Sequence, residues 1–149
     1  MPTLGTVAVS FCDGTSPLEH SDAMPGISHV SVGVNDLARA RSFYDPLMQI
    51  LGLEIRQADG ESVDYGTRDA LSYSLETPVD GKPATAGNGV HVAFDAGNRT
   101  TVDLFYHEAL LRGGKDAGPP GLRPEYGPDY YGAFVLDPDG NKIEAVTGV

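Results

Sequence analysis

Hydrophobic positions along the chain follow two rhythms, and each rhythm occurs twice. Val30, Val32 and Val34 alternate with other residues, and Val90, Val92 and Phe94 do the same. Alternation with period two marks a half-buried strand whose apolar set turns to one face. After each run the spacing becomes helical. Leu37, Ala40, Phe43/Tyr44, Leu47 and Ile50/Leu51 recur at helical intervals behind Asn35 or Asp36 as a cap. Val102, Phe105, Ala109 and Leu110 recur behind Asn98, and Gly113-Gly114 ends that helix. Pro46 falls inside the first helical pattern and predicts a kink or an early stop there.

Three short strands are expected after each helix, near Glu54–Ala58, Ser62–Thr67 and Ala70–Glu76, then near Lys115–Ala117, Tyr130–Leu136 and Lys142–Thr147. Asp137-Pro138-Asp139-Gly140 joins the last two as a turn: Pro presets φ and Gly accepts a positive one. Placing Ile27–Leu53 over Gly89–Lys115 uses a constant offset of 62 positions, 29 onto 91. His29 then meets His91, Val30 meets Val92, Phe43-Tyr44 meets Phe105-Tyr106, and Gly52 meets Gly114. The expected fold is α+β: two tandem βαβββ modules forming a cup-shaped mixed sheet over residues 26–149. Residues 1–25 read as an N-terminal extension, in which a short edge strand fits Thr6–Phe11.

Composition narrows the partners. With 149 residues, 40% hydrophobic and 21% charged, the chain suits one globular domain. Its net charge of -11, without any Lys/Arg cluster, repels phosphate backbones and anionic lipid, so neither nucleic acid nor a membrane surface is an expected partner. No apolar run approaches the roughly 18 residues of a membrane span. No basic stretch precedes an apolar core at the start, so no signal peptide is expected. One cysteine, Cys12, forms no internal disulfide, which suits a reducing, cytoplasmic setting. The 19 glycines and 11 prolines concentrate in Asp80–Gly89 and Gly113–Gly127, which read as loops.

Three segments carry a resemblance. Ile27-Ser28-His29-Val30-Ser31-Val32, with Asp36-Leu37-Ala38-Arg39-Ala40 and Phe43-Tyr44, resembles the opening strand and helix of the vicinal oxygen chelate superfamily. This is the glyoxalase, bleomycin-resistance and extradiol dioxygenase fold. Gly89-Val90-His91-Val92-Ala93-Phe94 is similar to its fifth strand, and Phe134–Glu144 to its closing hairpin. The resemblance implies a divalent metal, Zn²⁺, Ni²⁺, Mn²⁺ or Fe²⁺, held by His29, His91 and Glu144, with positions left open for adjacent oxygens of a small substrate. Glu144 is then also the candidate catalytic base. Alternation agrees with the placement, since Ile143 and Ala145 take the apolar face and turn Glu144 the other way.

Aligning the two hairpins sets Tyr73 opposite Glu144, where glyoxalase I-type enzymes carry a second glutamate. A phenol must lose a proton near pH 10 to ligate, so a centre with four protein ligands is not expected, and Tyr73 is assigned to the substrate. Arg123 is the candidate clamp for a substrate carboxylate. Tyr126 and Tyr131, with Tyr130 between them, are candidate pocket walls in the Gly/Pro-framed segment 121–131. The competing reading packs these tyrosines against the sheet edge. Function is expected to be that of a metal-dependent lyase or isomerase of the glyoxalase type. The alternatives are a metal-free small-molecule binder of the bleomycin-resistance type and a dioxygenase-like enzyme, although dioxygenases usually carry four modules. Relatives of this length imply a homodimer whose cup is shared between chains.

Overall fold

Asp36 starts the first helix. Its backbone is extended, and its carboxylate accepts from the Arg39 amide at 2.9 Å, satisfying a donor that the first turn leaves free. In the computed structural model, which describes residues 26–149, helix α1 then runs Leu37–Ile50. The early stop expected at Pro46 does not occur. Pro46 lies on a surface groove with Ala38, Arg41 and Gln49, while Leu47 and Met48 directly after it are fully buried. Their packing carries the helix past the missing amide. Asn98 caps helix α2, Arg99–Leu111, by accepting from the Thr101 amide at 2.9 Å. Its inward stripe is Val102, Phe105, Tyr106 and Ala109; Leu110, expected inward, is instead 36% exposed. The expected extension at 1–25, with the strand at Thr6–Phe11, lies outside the described residues.

Module one supplies β1 (Val30–Gly33), β2 (Glu54–Ala58), β3 (Ser62–Gly66) and β4 (Leu71–Glu76), in sheet order β1-β4-β3-β2. Module two supplies β5 (His91–Asp95), β6 (Lys115–Leu122), β7 (Tyr131–Leu136) and β8 (Lys142–Thr147), in order β5-β8-β7-β6. In each sheet the first strand pairs parallel with the fourth, and the other pairs are antiparallel. The fold is therefore α+β, two βαβββ modules with a four-stranded mixed sheet each.

Strand β6 is longer than its expected Lys115–Ala117, because it continues through Pro119 and Pro120. Two features permit this. The strand is the outer edge of its sheet, where a missing amide costs little. Its register against β7 also shifts between Gly118 and Gly121, so the prolines sit in a bulge.

One core serves both modules. Phe43, Tyr44, Leu47 and Met48 of α1 join Val63, Tyr65, Tyr73 and Leu75, and the same cluster takes in Phe94, Phe105, Ala133, Val135, Ile143 and Ala145. Helix α1 packs on α2, and the Tyr73 and Phe94 rings meet edge-on at 5.1 Å. The helix-bearing faces of the sheets thus meet, and the opposite faces look away from the core. A polar seam crosses it: the Tyr44 hydroxyl donates to Asp137 at 2.7 Å and lies 3.1 Å from that of Tyr73. The Tyr65 hydroxyl donates to Asp45 at 2.6 Å.

Burial, before any charge effect, pushes the phenols of Tyr44, Tyr65 and Tyr73 well above their ordinary value near 10. Above about pH 10 the unfolded chain gives up these protons while the folded chain keeps them, so stability is complete below that pH and falls as pH rises. Guanidinium unfolding across a pH series should show a midpoint that declines above about pH 10. Tyr44→Phe should lower stability at neutral pH by about 1–3 kcal/mol, through lost hydrogen bonds, and flatten the alkaline decline. An alkaline slope identical in the variant would contradict the assignment.

Candidate metal and substrate site

Strand parity decides what faces the core and what faces outward. Along β8, Ile143 and Ala145 enter the core, so Glu144 points to the opposite side. Along β7, Ala133 and Val135 enter the core, and Gly132 and Phe134 share the side of Glu144. On β5, Val92 pairs with Ile143, so His91 and Ala93 take the outward face.

Glu144 is fully buried although it faces outward. The Tyr130 hydroxyl donates to its Oε1 at 2.7 Å. Burial first, then the hydrogen bond to the carboxylate, pushes the Tyr130 phenol up to about 12, so it stays a donor at neutral pH. The other oxygen, Oε2, has no hydrogen-bond partner among the described residues, and His91 Nε2 stands 3.3 Å from it. A Cβ at Gly132 would come within 2.7 Å of Oε1, so only glycine leaves the carboxylate its place. An imidazole nitrogen beside a buried carboxylate oxygen with a lone pair to spare fits a divalent cation, which takes both donor types.

Around this pair, the His91 and Phe134 rings lie 6.0 Å apart. His91 also borders a cleft of about 500 Å³ beside Ile27, Val30, Leu53, Ser72 and Phe94. Arg123 places its guanidinium over Phe134 at 5.8 Å. Tyr126 is 64% exposed, with its ring 5.1 Å from that of Tyr130. These candidates are gathered at one site.

His29 is not gathered there. It is exposed on the approach to β1, its imidazole next to the Ser28 hydroxyl, and among the described residues no three of His, Cys, Asp and Glu converge.

Two other assignments are corrected by parity. Tyr73 faces the core, fully buried, and the residue in the place of Glu144 is Ser74: both pair with the residue two beyond their strand-entry histidine, Ser31 with Ser74 and Ala93 with Glu144. The cause is a register shift in the β3–β4 hairpin, where Tyr65 faces Tyr73 but Gly66 faces Leu71. Tyr131 likewise lies on the helix side, donating to Asp103 at 2.8 Å, with Arg99 over its ring. Its neighbour Tyr130 holds the carboxylate instead. The sequence reading passed over Gly132, Phe134 and Lys142; alternation against Ala133, Val135 and Ile143 is the signal that locates all three on the site face.

The model of the Glyoxalase/Bleomycin resistance protein/Dioxygenase superfamily matches residues 26–145. Among solved structures, a glyoxalase/bleomycin resistance protein from Albidiferax ferrireducens T118 is 39% identical, with a TM-score of 0.72 over 80% of this chain and 96% of that one. Two more distant structures share the fold. A glyoxalase-related enzyme from Fulvimarina pelagi is 18% identical, with a TM-score of 0.64 over 83% of this chain and 88% of that one. A lactoylglutathione lyase from Agrobacterium tumefaciens is 20% identical, with a TM-score of 0.59 over 85% and 96%. No functionally curated protein matches the sequence. With its modules, its site face and this match in agreement, the chain belongs to the glyoxalase/bleomycin resistance protein/dioxygenase superfamily.

Proposed function

We propose that the protein is a metal-dependent enzyme of the glyoxalase kind, a lyase or isomerase acting on a small molecule that presents two adjacent oxygens. One observation carries the reading: His91 Nε2 stands 3.3 Å from Glu144 Oε2, a buried oxygen with no hydrogen-bond partner among the described residues. His91 and Glu144 would hold the ion together with His29. Such an ion would supply Lewis acidity toward the substrate oxygens. Within the chain, Tyr130 fixes one carboxylate oxygen, Gly132 leaves it room, and the buried Phe134 is the partner of Glu144 on the next strand. Glu144 is the candidate proton acceptor. The second reading, a metal-free binder of the bleomycin-resistance type, draws on the separation of His29 from the other two donors.

That separation has a physical resolution in a homodimer with a shared cup. Strands β1 and β5 are the end strands of their sheets, and Ile27 and Val90 beside them are 86% and 61% exposed. Unpaired edges and exposed apolar residues favour pairing with a second copy, and two-fold closure yields two equal sites. His29 from one chain would then meet His91 and Glu144 from the other.

After incubation with Zn²⁺, Ni²⁺, Mn²⁺ or Fe²⁺ and dialysis, the wild-type protein is expected to retain one ion per site. His91→Ala and Glu144→Ala should abolish that retention, and Tyr73→Phe should leave it intact. Gly132→Ala should weaken affinity about tenfold or more with the circular dichroism spectrum unchanged, because it displaces the carboxylate and its tyrosine. Wild type that retains none of the four metals would eliminate the enzyme reading in favour of the binder.

Mixing His29→Ala chains with Glu144→Ala chains tests the shared cup. In a mixed dimer both lesions fall in one cup, and the other is restored. Metal binding recovered on refolding the mixture is the expected result; no recovery would mean that each site belongs to one chain.

A further inference from the structure

Two cations converge on one ring beside Glu144. The Lys142 ammonium lies 4.7 Å from the Phe134 centroid, and the Arg123 guanidinium carbon lies 5.8 Å from it. Neither forms an ion pair with a carboxylate among the described residues, in a chain with 21 acidic and only 10 basic residues. Two cations held against one ring repel each other, and the ring quadrupole offsets only part of that cost.

The arginine is also built in. Nη2 donates to the Pro119 carbonyl at 2.6 Å and Nη1 to that of Leu122 at 3.3 Å. A Cβ at Gly118 would come within 3.0 Å of Phe134 and 3.4 Å of Arg123 Nη2, and one at Gly121 within 3.0 Å of Nη1. Glycine at both positions thus leaves a slot for the guanidinium. Among the described residues two of its five N–H groups are used by the carbonyls, and three are left to donate. Lys142 is half-buried, its ammonium donates no hydrogen bond among the described residues, and it lines a second cavity of about 400 Å³ with His91 and Gly140.

We infer that Arg123 and Lys142 form a two-cation seat over Phe134 for an oxyanion of the substrate, a carboxylate or a phosphoryl group. The substrate is therefore a small acid. Arg123 supplies directed N–H groups and Lys142 a mobile point charge, a pairing that suits oxygens spread around one centre. The inference rests on the proposed metal reading for the position of the reacting oxygens: a divalent ion on one carboxylate leaves positive charge, and two further cations demand an anionic ligand.

Titration of the metal-free protein with inorganic phosphate and, separately, malonate tests the seat, read by NMR on the Phe134 ring and the Lys142 and Arg123 side chains. Saturable shifts at all three are expected with at least one anion, and the tighter of the two identifies the oxyanion as phosphoryl or carboxylate. Lys142→Gln and Arg123→Gln should each weaken binding at least about tenfold. Arg99→Gln, whose guanidinium lies over Tyr131 on the opposite face, should not weaken it. Lys142→Gln removes no hydrogen bond, so it carries the test if Arg123→Gln disturbs its loop. Unmoved Phe134 signals, or Gln variants that bind both anions as wild type does, would overturn the seat. Zn²⁺ affinity measured alongside separates the two readings: Lys142→Gln should keep it, and a wild type that binds the anion but no metal removes the metal reading alone.

Discussion

The buried carboxylate of Asp137 ties the two modules together. Its Oδ1 accepts from the amides of Asp139 and Asn141, at 2.9 and 2.8 Å, and so closes the β7–β8 turn on itself. Its Oδ2 accepts from the Tyr44 hydroxyl of α1 and from the Asn141 side chain, which also donates to the Gly33 carbonyl of β1. A carboxylate only 3% exposed is costly unless its lone pairs are used, and here four donors use them. Asp139 of the same turn, its side chain 3% exposed, adds a second tie: its Oδ1 accepts from Arg39 and from the backbone and side chain of Asn35. The turn of module two is therefore bonded to the first helix and first strand of module one. Neither module is an independent body.

That anchor sets the start of β8, and the start of β8 sets everything on its outward face. Lys142, Glu144 and Val146 follow at steps of two, and the neighbouring strands bring Gly132, Phe134 and His91 beside them. Because a strand side chain can only lie on one face or the other, a one-residue slip would exchange Glu144 for an apolar residue and bury a charge in the helix-side core. The apolar face enforces the register through Ile143 and Ala145, and the outward face inherits it. Stability and site geometry are consequences of the same pairing.

Much of this was legible because periodicity is a local property. Strands β2 and β8 begin and end where alternation and turn residues put them, both helix caps are the expected polar residues, and His91 and Glu144 come together. The misreadings are those of non-local causes. Tyr73 matches Glu144 only if the two hairpins have equal registers, and the shift between Tyr65 and Gly66 places Ser74 there instead. Tyr130 and Tyr131 are neighbours with opposite fates, one on Glu144 and one on Asp103, and only the pairing of Tyr131 with Thr147 decides which is which. The length of β6 depended on its being an edge, which composition does not reveal: two prolines read as a loop until the partner strand is known. The position of His29 relative to the other two donors depends on how modules associate, and no local pattern encodes that.

The two modules keep one scaffold and diverge on one face. Core positions correspond in kind: Tyr73 and Leu75 in β4 answer to Ile143 and Ala145 in β8, each packed under its helix. On the outward face the correspondence ends. Ser74 stands where Glu144 stands, and Asp64 where Phe134 stands, with the Ser74 hydroxyl donating to Asp64 at 2.6 Å. Module one thus places its acid on β3 and occupies it with a serine, whereas module two keeps its acid on β8 with one oxygen free. An acid already engaged by a hydroxyl and an acid with an orphaned oxygen are different chemical tools. Duplication supplied two copies of the frame, and the difference in which strand carries the carboxylate makes the faces complementary rather than redundant.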